Sequence, residues 1–192
     1  MSKAGAVMDR GPERVFDEYL VVMSQGGSRE ALAVLVARWS PRLTRYVART
    51  LRSAELAEDV VQEVWASVLR GLPQVADAAR FPPWIYSIAT RKCADVVRSR
   101  MRGRRLADGL AAERTLNGHA ADARSGAELG LDLSTAIDRL PLDQRLTISL
   151  HYGEDLSVEE VAAVLRVPTG TVKSRLYTAR NTLRQLLEGD PP

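Results

Sequence analysis

Between Gly103 and Asp132 this chain holds five of its 13 glycines and not one Val, Ile or aromatic residue. A stretch with so little to bury cannot offset the entropy of ordering it. The apolar material is thereby split, and 192 residues, enough for one medium domain or two small ones, are pushed towards two. The aromatic residues agree: eight of the ten lie between Phe16 and Tyr86, and the next is Tyr152. The expected organisation is a disordered N-terminus over 1–11, a first domain over 12–102, a flexible linker over 103–132 with room for a short helix near Leu106 and Leu110, and a second domain over 133–188.

Both parts carry the helical period. After a Ser28 cap, Leu32, Leu35, Val36, Trp39, Leu43, Tyr46 and Val47 recur at three- and four-residue steps, with Pro41 expected to bend the helix. Over Ala54–Gly71, one face takes Val60, Val61, Val64, Trp65 and Val68, and the other takes Asp59, Gln62, Glu63, Ala66 and Arg70. A loop over 72–83 rich in proline precedes a third helix with Ile85, Ile88, Ala89 and Val96 inward. In the second part a helix over 133–140 stops at Pro141 and resumes through Leu146 and Leu150. Ser157 with Glu160 three residues on reads as a capping box for a short helix. Arg166, Val167 and Pro168 break the pattern, and Thr169 is expected to cap a last helix with Val172, Leu176, Ala179, Leu183 and Leu187 on one stripe. No segment alternates strictly enough for a strand, so the predicted fold is all-α, two small helical domains with a helix-turn-helix in the second.

The formal charge of +3 looks unpromising for a polyanion ligand until it is resolved along the chain. Residues 91–105 hold seven bases against Asp95 alone, and Arg91, Arg98, Arg102 and Arg105 share a stripe. Residues 166–187 hold five bases and no acid. Arg and Lys at the start of a helix reach guanine edges in a major groove, Ser and Thr reach bases or phosphates, and a preceding short helix and turn supply the docking geometry. Trp84 and Tyr86 offer rings that stack on unpaired bases, with core packing as the competing reading for Trp84. By contrast, residues 53–69 carry Glu55, Glu58, Asp59 and Glu63 and no base. DNA repels such a face, and a basic protein helix is drawn to it. A solvated Arg-rich or acidic surface is the plain alternative for each, since 24 of the 27 bases are Arg, as a GC-rich genome also produces.

Other functions are poorly supported. Cys93 is the only cysteine, so an intramolecular disulfide and multi-cysteine zinc sites are ruled out. His119 and His151 have no motif partners, no Gly-rich phosphate cradle occurs, and the expectation is a binding protein without catalytic residues, metal or cofactor. No secretory h-region or apolar run of about 18 residues is present, which points to a cytoplasmic protein without membrane insertion.

These residues resemble a known family. The run Ala57-Glu58-Asp59-Val60-Val61-Gln62-Glu63-Val64-Trp65, then Phe81, Trp84-Ile85-Tyr86-Ser87-Ile88-Ala89 and Asp95, is similar to region two of bacterial extracytoplasmic-function sigma factors. Leu140-Pro141 with Arg145, Leu156-Ser157-Val158-Glu159-Glu160-Val161-Ala162 and Gly170-Thr171-Val172-Lys173-Ser174-Arg175-Leu176 with Ala179-Arg180 are similar to region four. The resemblance implies a factor that binds core RNA polymerase and directs it to promoter DNA. It implies that Asp59, Gln62 and Glu63 meet the clamp helices of the largest polymerase subunit. Arg80, Trp84, Arg91, Lys92, Arg98 and Arg102 would take the minus-ten element. Lys173, Ser174, Tyr177, Thr178 and the neighbouring Thr171 would read the minus-thirty-five element, with Arg175 and Arg180 on phosphates. An anti-sigma factor is expected as a further partner. Arg166 stands where these factors usually have the turn Gly, at a strain of about 1 kcal/mol if that backbone is left-handed. Thr178 and Arg91 replace a frequent Arg and a frequent Asn, so the promoter sequence does not carry over. An autonomous helix-turn-helix regulator, with the first part as a dimerising or sensing domain, is the alternative; it would need no polymerase.

Overall fold

The computed structural model describes residues 11–111 and 133–188, and the side chains of 11–102 and 133–188 within them. The expected disorder over 1–10 and the linker over 112–132 lie outside the described residues. Among the described residues there is no strand, and the fold is all-α. The first cluster comprises α1 (Pro12–Gln25), α2 (Arg29–Leu51), α3 (Ala54–Gly71) and α4 (Phe81–Ala111), with two short 3₁₀ turns, Leu72–Gln74 and Ala78–Arg80, between α3 and α4. The second comprises α5 (Leu133–Arg139), α6 (Leu142–Ile148), a π-helical turn Ser149–Gly153, α7 (Val158–Leu165) and α8 (Thr169–Glu188). The backbone of α4 is helical through Ala111, which includes the first nine residues of the stretch read as linker.

Short side chains start the helices. The Ser28 hydroxyl accepts the Ala31 N–H at 3.1 Å and the Ser53 hydroxyl accepts the Leu56 N–H at 3.3 Å. The capping box is reciprocal: Ser157 Oγ accepts the Glu160 N–H at 3.1 Å, and Glu160 Oε2 accepts the Ser157 N–H at 2.7 Å. Pro41 lies within an α2 that continues to Leu51. Pro168 provides the carbonyl that opens α8, so Thr169, expected as the cap, is the first residue inside the helix.

The first core is aromatic. Trp39 of α2 meets Phe81 edge-on at 5.2 Å and Tyr86 at 5.9 Å, and Tyr46 meets Tyr86 edge-on at 5.2 Å. All four are buried, together with Leu35, Leu43, Val64, Val68, Ile85 and Ala89. Tyr46 hydrogen-bonds Thr90 at 2.7 Å and Trp65 Nε1 donates to Ser40 at 3.0 Å, so the polar tips of the rings find partners. In the second cluster α8 packs against α5, α6 and α7 through Val172, Leu176, Ala179 and Leu183. Leu187, placed on that stripe from the sequence, is 39 % exposed, while Leu186 packs on the core. The last turn of α8 rotates one residue away from the simple three-and-four spacing.

The clusters touch: α7 lies against α4, and α6 against α2. The α7–α8 turn is built on Arg166 at φ 55, ψ 47, whose N–H bonds the Ala162 carbonyl. A left-handed backbone costs a residue with a Cβ about 1–2 kcal/mol. Arg166→Gly is therefore expected to raise the thermal stability of the second cluster by about 1 kcal/mol, less the entropy glycine adds to the unfolded chain. Unchanged or lowered stability in calorimetry would show that the Arg side chain compensates for its backbone.

Candidate nucleic-acid and protein interfaces

The heptad arithmetic of α3 separates its two faces. Ala57, Val60, Val61, Val64, Trp65 and Val68 are buried, which leaves Glu58, Asp59, Gln62, Glu63 and Ala66 exposed in one row. Of this row, Glu63 takes an ion pair, to Lys92 Nζ of α4 at 2.8 Å. That contact marks the seam between the acidic face and the basic helix beside it, and being mostly exposed it contributes little stability.

Arg91, Arg98, Arg100 and Arg102 are exposed along α4, and Arg98 is held by Asp95 at 2.6 Å. That guanidinium keeps the Asp95 carboxyl below the usual carboxylate range through a direct hydrogen bond. Arg80, in the 3₁₀ turn before α4, is exposed and lies 3.5 Å from Asp77. Trp84 is half-buried; its indole lies over Gly71, where a Cβ would stand 2.9 Å from Cζ2. Glycine at 71 thus seats the ring. Tyr86 does not share the proposed stacking role, because it is fully buried in the aromatic core. A pocket at the front of α4 is lined by Trp84, Ser87, Ile88, Arg91 and Lys92, with Ser67 of α3 and Arg166 of the α7–α8 turn.

On α8 the residues singled out fall on one outward face. Lys173, Ser174, Tyr177, Thr178 and Arg180 are exposed, Tyr177 by 63 %, and Thr171 and Arg175 are partly covered. Arg175 Nε is 3.1 Å from Asp143 of α6, so it also braces the helix-turn-helix from behind. Ser174 Oγ donates to the Thr171 carbonyl at 2.9 Å and has its lone pairs free for a donor.

The structure buries several polar residues; Asp17 and Glu154 were not singled out in the sequence, and Arg145 entered only through the region-four resemblance. Asp17 of α1 is paired with Arg38 at 2.9 Å. Arg145 is buried with Nη1 and Nη2 each 3.3 Å from a carbonyl, of Asp138 and Thr50, and its Nε has no partner. Burial, and Arg52 nearby, lower its pKa. Glu154 is 4 % exposed among residues of the first cluster. It follows a π-helical turn, Ser149–Gly153, an irregularity of a kind often found at functional sites, which the sequence does not announce.

Among the described residues no cluster of His, Cys, Asp and Glu could hold a metal, and no helix is long and apolar enough to cross a membrane. Cys93 is core, 1 % exposed, and burial pushes its thiol up to about 12. A thiol so placed has about a thousandfold less thiolate at neutral pH than a free one, so alkylation of the native protein is expected to proceed only through local opening. Labelling by iodoacetamide as fast in buffer as in denaturant would contradict that burial.

With this geometry, comparison with known proteins is unambiguous. Residues 35–103 match the family model of sigma-70 region 2 and residues 130–183 that of sigma-70 region 4. The chain is 33 % identical over 181 residues to the ECF RNA polymerase sigma-E factor of Escherichia coli K12, covering 89 % of this chain and 94 % of the relative. It is 30 % identical over 183 residues to the RNA polymerase sigma-H factor of Pseudomonas aeruginosa, at 90 % and 94 % coverage. Among solved structures it is similar to the sigma factor RpoE of Bartonella quintana in complex with the anti-sigma factor NepR, with 25 % identity, a TM-score of 0.63, and coverage of 83 % of this chain and 98 % of that one. The fold also matches that of CnrH, seen with the cytosolic domain of CnrY, at 23 % identity and a TM-score of 0.66 over 92 % of this chain and 99 % of that one. The chain belongs to the sigma-70 family, in its extracytoplasmic-function group. It is a sigma factor that binds core RNA polymerase and directs promoter-specific initiation. Members of the family are initiation factors and not themselves catalysts.

Proposed function

We propose that this factor divides its work between a module over 12–102 and a module over 133–188, joined by 103–132, and that each exposed charged face serves one partner. Asp59, Gln62 and Glu63 seat a basic helical element of core polymerase. Arg80, Trp84, Arg91, Lys92, Arg98 and Arg102 receive the minus-ten element, with the Trp84 ring stacking on an unpaired base and the cations on phosphates. Thr171, Lys173, Ser174, Tyr177 and Thr178 read the minus-thirty-five element in the major groove, and Arg175 and Arg180 hold its backbone. The carrying observation is the segregation of exposed charge. Four acids line α3 before its single base, Arg70 in the last turn, while cations line α4 and α8. One surface could not serve both kinds of partner, because the acids that attract a basic helix repel phosphate. The factor acts in the cytoplasm with its polymerase, under a separate anti-sigma protein, a partner of the kind seen with the similar RpoE.

Reconstituted transcription on genomic DNA with core enzyme and this protein, followed by sequencing of the transcripts, tests the reading. Start sites that share two upstream elements are expected, and initiation that ignores the added protein would overturn it. Two variants locate the faces. Asp59→Arg with Glu63→Arg should weaken core binding about tenfold or more with helix content unchanged, as read by titration against labelled core. Lys173→Ala should cost about 1–3 kcal/mol of promoter binding if the lost contact is to a base. A footprint that keeps full upstream protection in this variant would remove Lys173 from the reading helix.

A further inference from the structure

Two guanidiniums stand on opposite sides of the buried stripe of α8. Arg175 flanks Val172 and Ala179, on the side where α6 packs, and Arg180 flanks Leu176 and Leu183. A helix laid in a major groove has a phosphate backbone along each edge, so edge positions meet phosphates while the middle of the face meets bases. A guanidinium donates through one N–H at Nε and two at each Nη, and a phosphate is best gripped by both Nη groups together.

Both side chains are tethered at Nε, by different means. Arg180 Nε donates to the Leu176 carbonyl of its own helix at 3.3 Å. The equivalent carbonyl is closed to Arg175: that of Thr171 takes the Arg175 N–H within the helix and the Ser174 hydroxyl at 2.9 Å, which uses both lone pairs. The tether comes from the neighbouring helix instead. Arg175 Nε lies 3.1 Å from Oδ2 of Asp143 in the first turn of α6, and Nη1 and Nη2 are left open, with no partner among the described residues. Asp143 is itself held, since its Oδ1 accepts the Gln144 N–H at 3.0 Å and its carbonyl accepts the Thr147 hydroxyl at 2.6 Å.

On charge alone Asp143 is out of place, because a carboxylate beside a phosphate-binding edge repels DNA. What it supplies is a fixed guanidinium. A loose Arg side chain loses rotamer freedom when it takes a phosphate, whereas one already anchored at Nε presents its planar fork without that loss.

We infer that Asp143 is a positioning residue for promoter binding, which holds Arg175 by Nε so that Nη1 and Nη2 fork a single phosphate beside the minus-thirty-five element. The inference rests on the reading of α8 as the helix that binds this element. It gives α6, outside the helix-turn-helix, a part in promoter affinity.

The test uses core polymerase with the full chain and a fluorescent duplex that carries the upstream element found by transcript mapping and stops short of the minus-ten element. Affinity is measured against salt for Asp143→Ala, Asp143→Glu, Arg175→Ala and the double variant Asp143→Ala with Arg175→Ala. Asp143→Ala should weaken binding about fivefold although it removes a negative charge, and the slope of log affinity against log salt should become shallower by about 0.9, the share of one phosphate. Arg175→Ala should lose the same slope, and the double variant should lose no more. Asp143→Glu, which keeps a carboxylate within reach, should retain most of it. Tighter or unchanged binding by Asp143→Ala would overturn the inference. Weaker binding with an unchanged slope would overturn it too, as the mark of a brace that only stiffens the α6–α8 contact. The two side chains are 26 % and 50 % exposed, so the pair adds little to folding and helix content should be retained. Should Ala loosen α6, Asp143→Asn repeats the measurement with the Gln144 N–H still bonded and the same loss expected. Failure of the α8 reading has a separate signature: Arg175→Ala and Lys173→Ala would both leave affinity and slope unchanged.

Discussion

The packing of Trp39 edge-on against Phe81, and at a tilt against Tyr86, holds the first cluster in place. A helix in a small domain can bury only one stripe, and whatever lies opposite is left for partners. By locking α2 to α4, the aromatic cluster decides which stripe of α4 is spent on the core, and α3 is fixed in turn by packing on both. The acidic row of α3 and the cations of α4 point where they do because Trp39, Tyr46, Phe81 and Tyr86 fill the space between. Electrostatics follows packing here: the acidic row of α3 and the cations of α4 meet at the Glu63–Lys92 pair.

Much of this was legible in the sequence, for a physical reason. Where a helix buries one clean stripe, as α2 and α3 do, the spacing of Leu35, Trp39, Leu43 and Tyr46 or of Val60, Val64 and Val68 reports it directly. Caps were readable because Ser28 and Ser157 act on a backbone N–H three residues away. The exposed acids and bases fell out of the same periodicity. By contrast, α1 gave no such pattern, since Val15, Phe16, Tyr19, Val22 and Met23 are all at least 40 % exposed while Asp17 is buried. A helix whose polar and apolar residues exchange their usual places leaves no stripe to find.

The contact between modules was illegible for another reason. Glu154 lies in His151-Tyr152-Gly153-Glu154-Asp155, a segment that reads as an ordinary polar turn. Its burial comes from residues 68 and 105 positions away, and pairings at that separation leave no local trace. Burial raises the pKa of its carboxyl, and the Tyr86 hydroxyl with Arg49 and Arg42 works against that. Burial and the neighbouring carboxylate also keep the Tyr86 phenol protonated, so the hydroxyl acts as donor. Arg166 belongs to the same class: the sequence showed that the helix breaks there, but not that the side chain would stand over another module.

Tyr86 takes part in both systems through different atoms. Its ring belongs to the aromatic core, and only its oxygen reaches Glu154. Phenylalanine would keep every ring contact and delete that oxygen, so the aromatic core and the bond to Glu154 are mutationally separable at one position. A lineage of such factors can therefore gain or lose the Tyr86–Glu154 bond between the clusters through a single atom. The core, the acidic row and the reading helix would be the same in both.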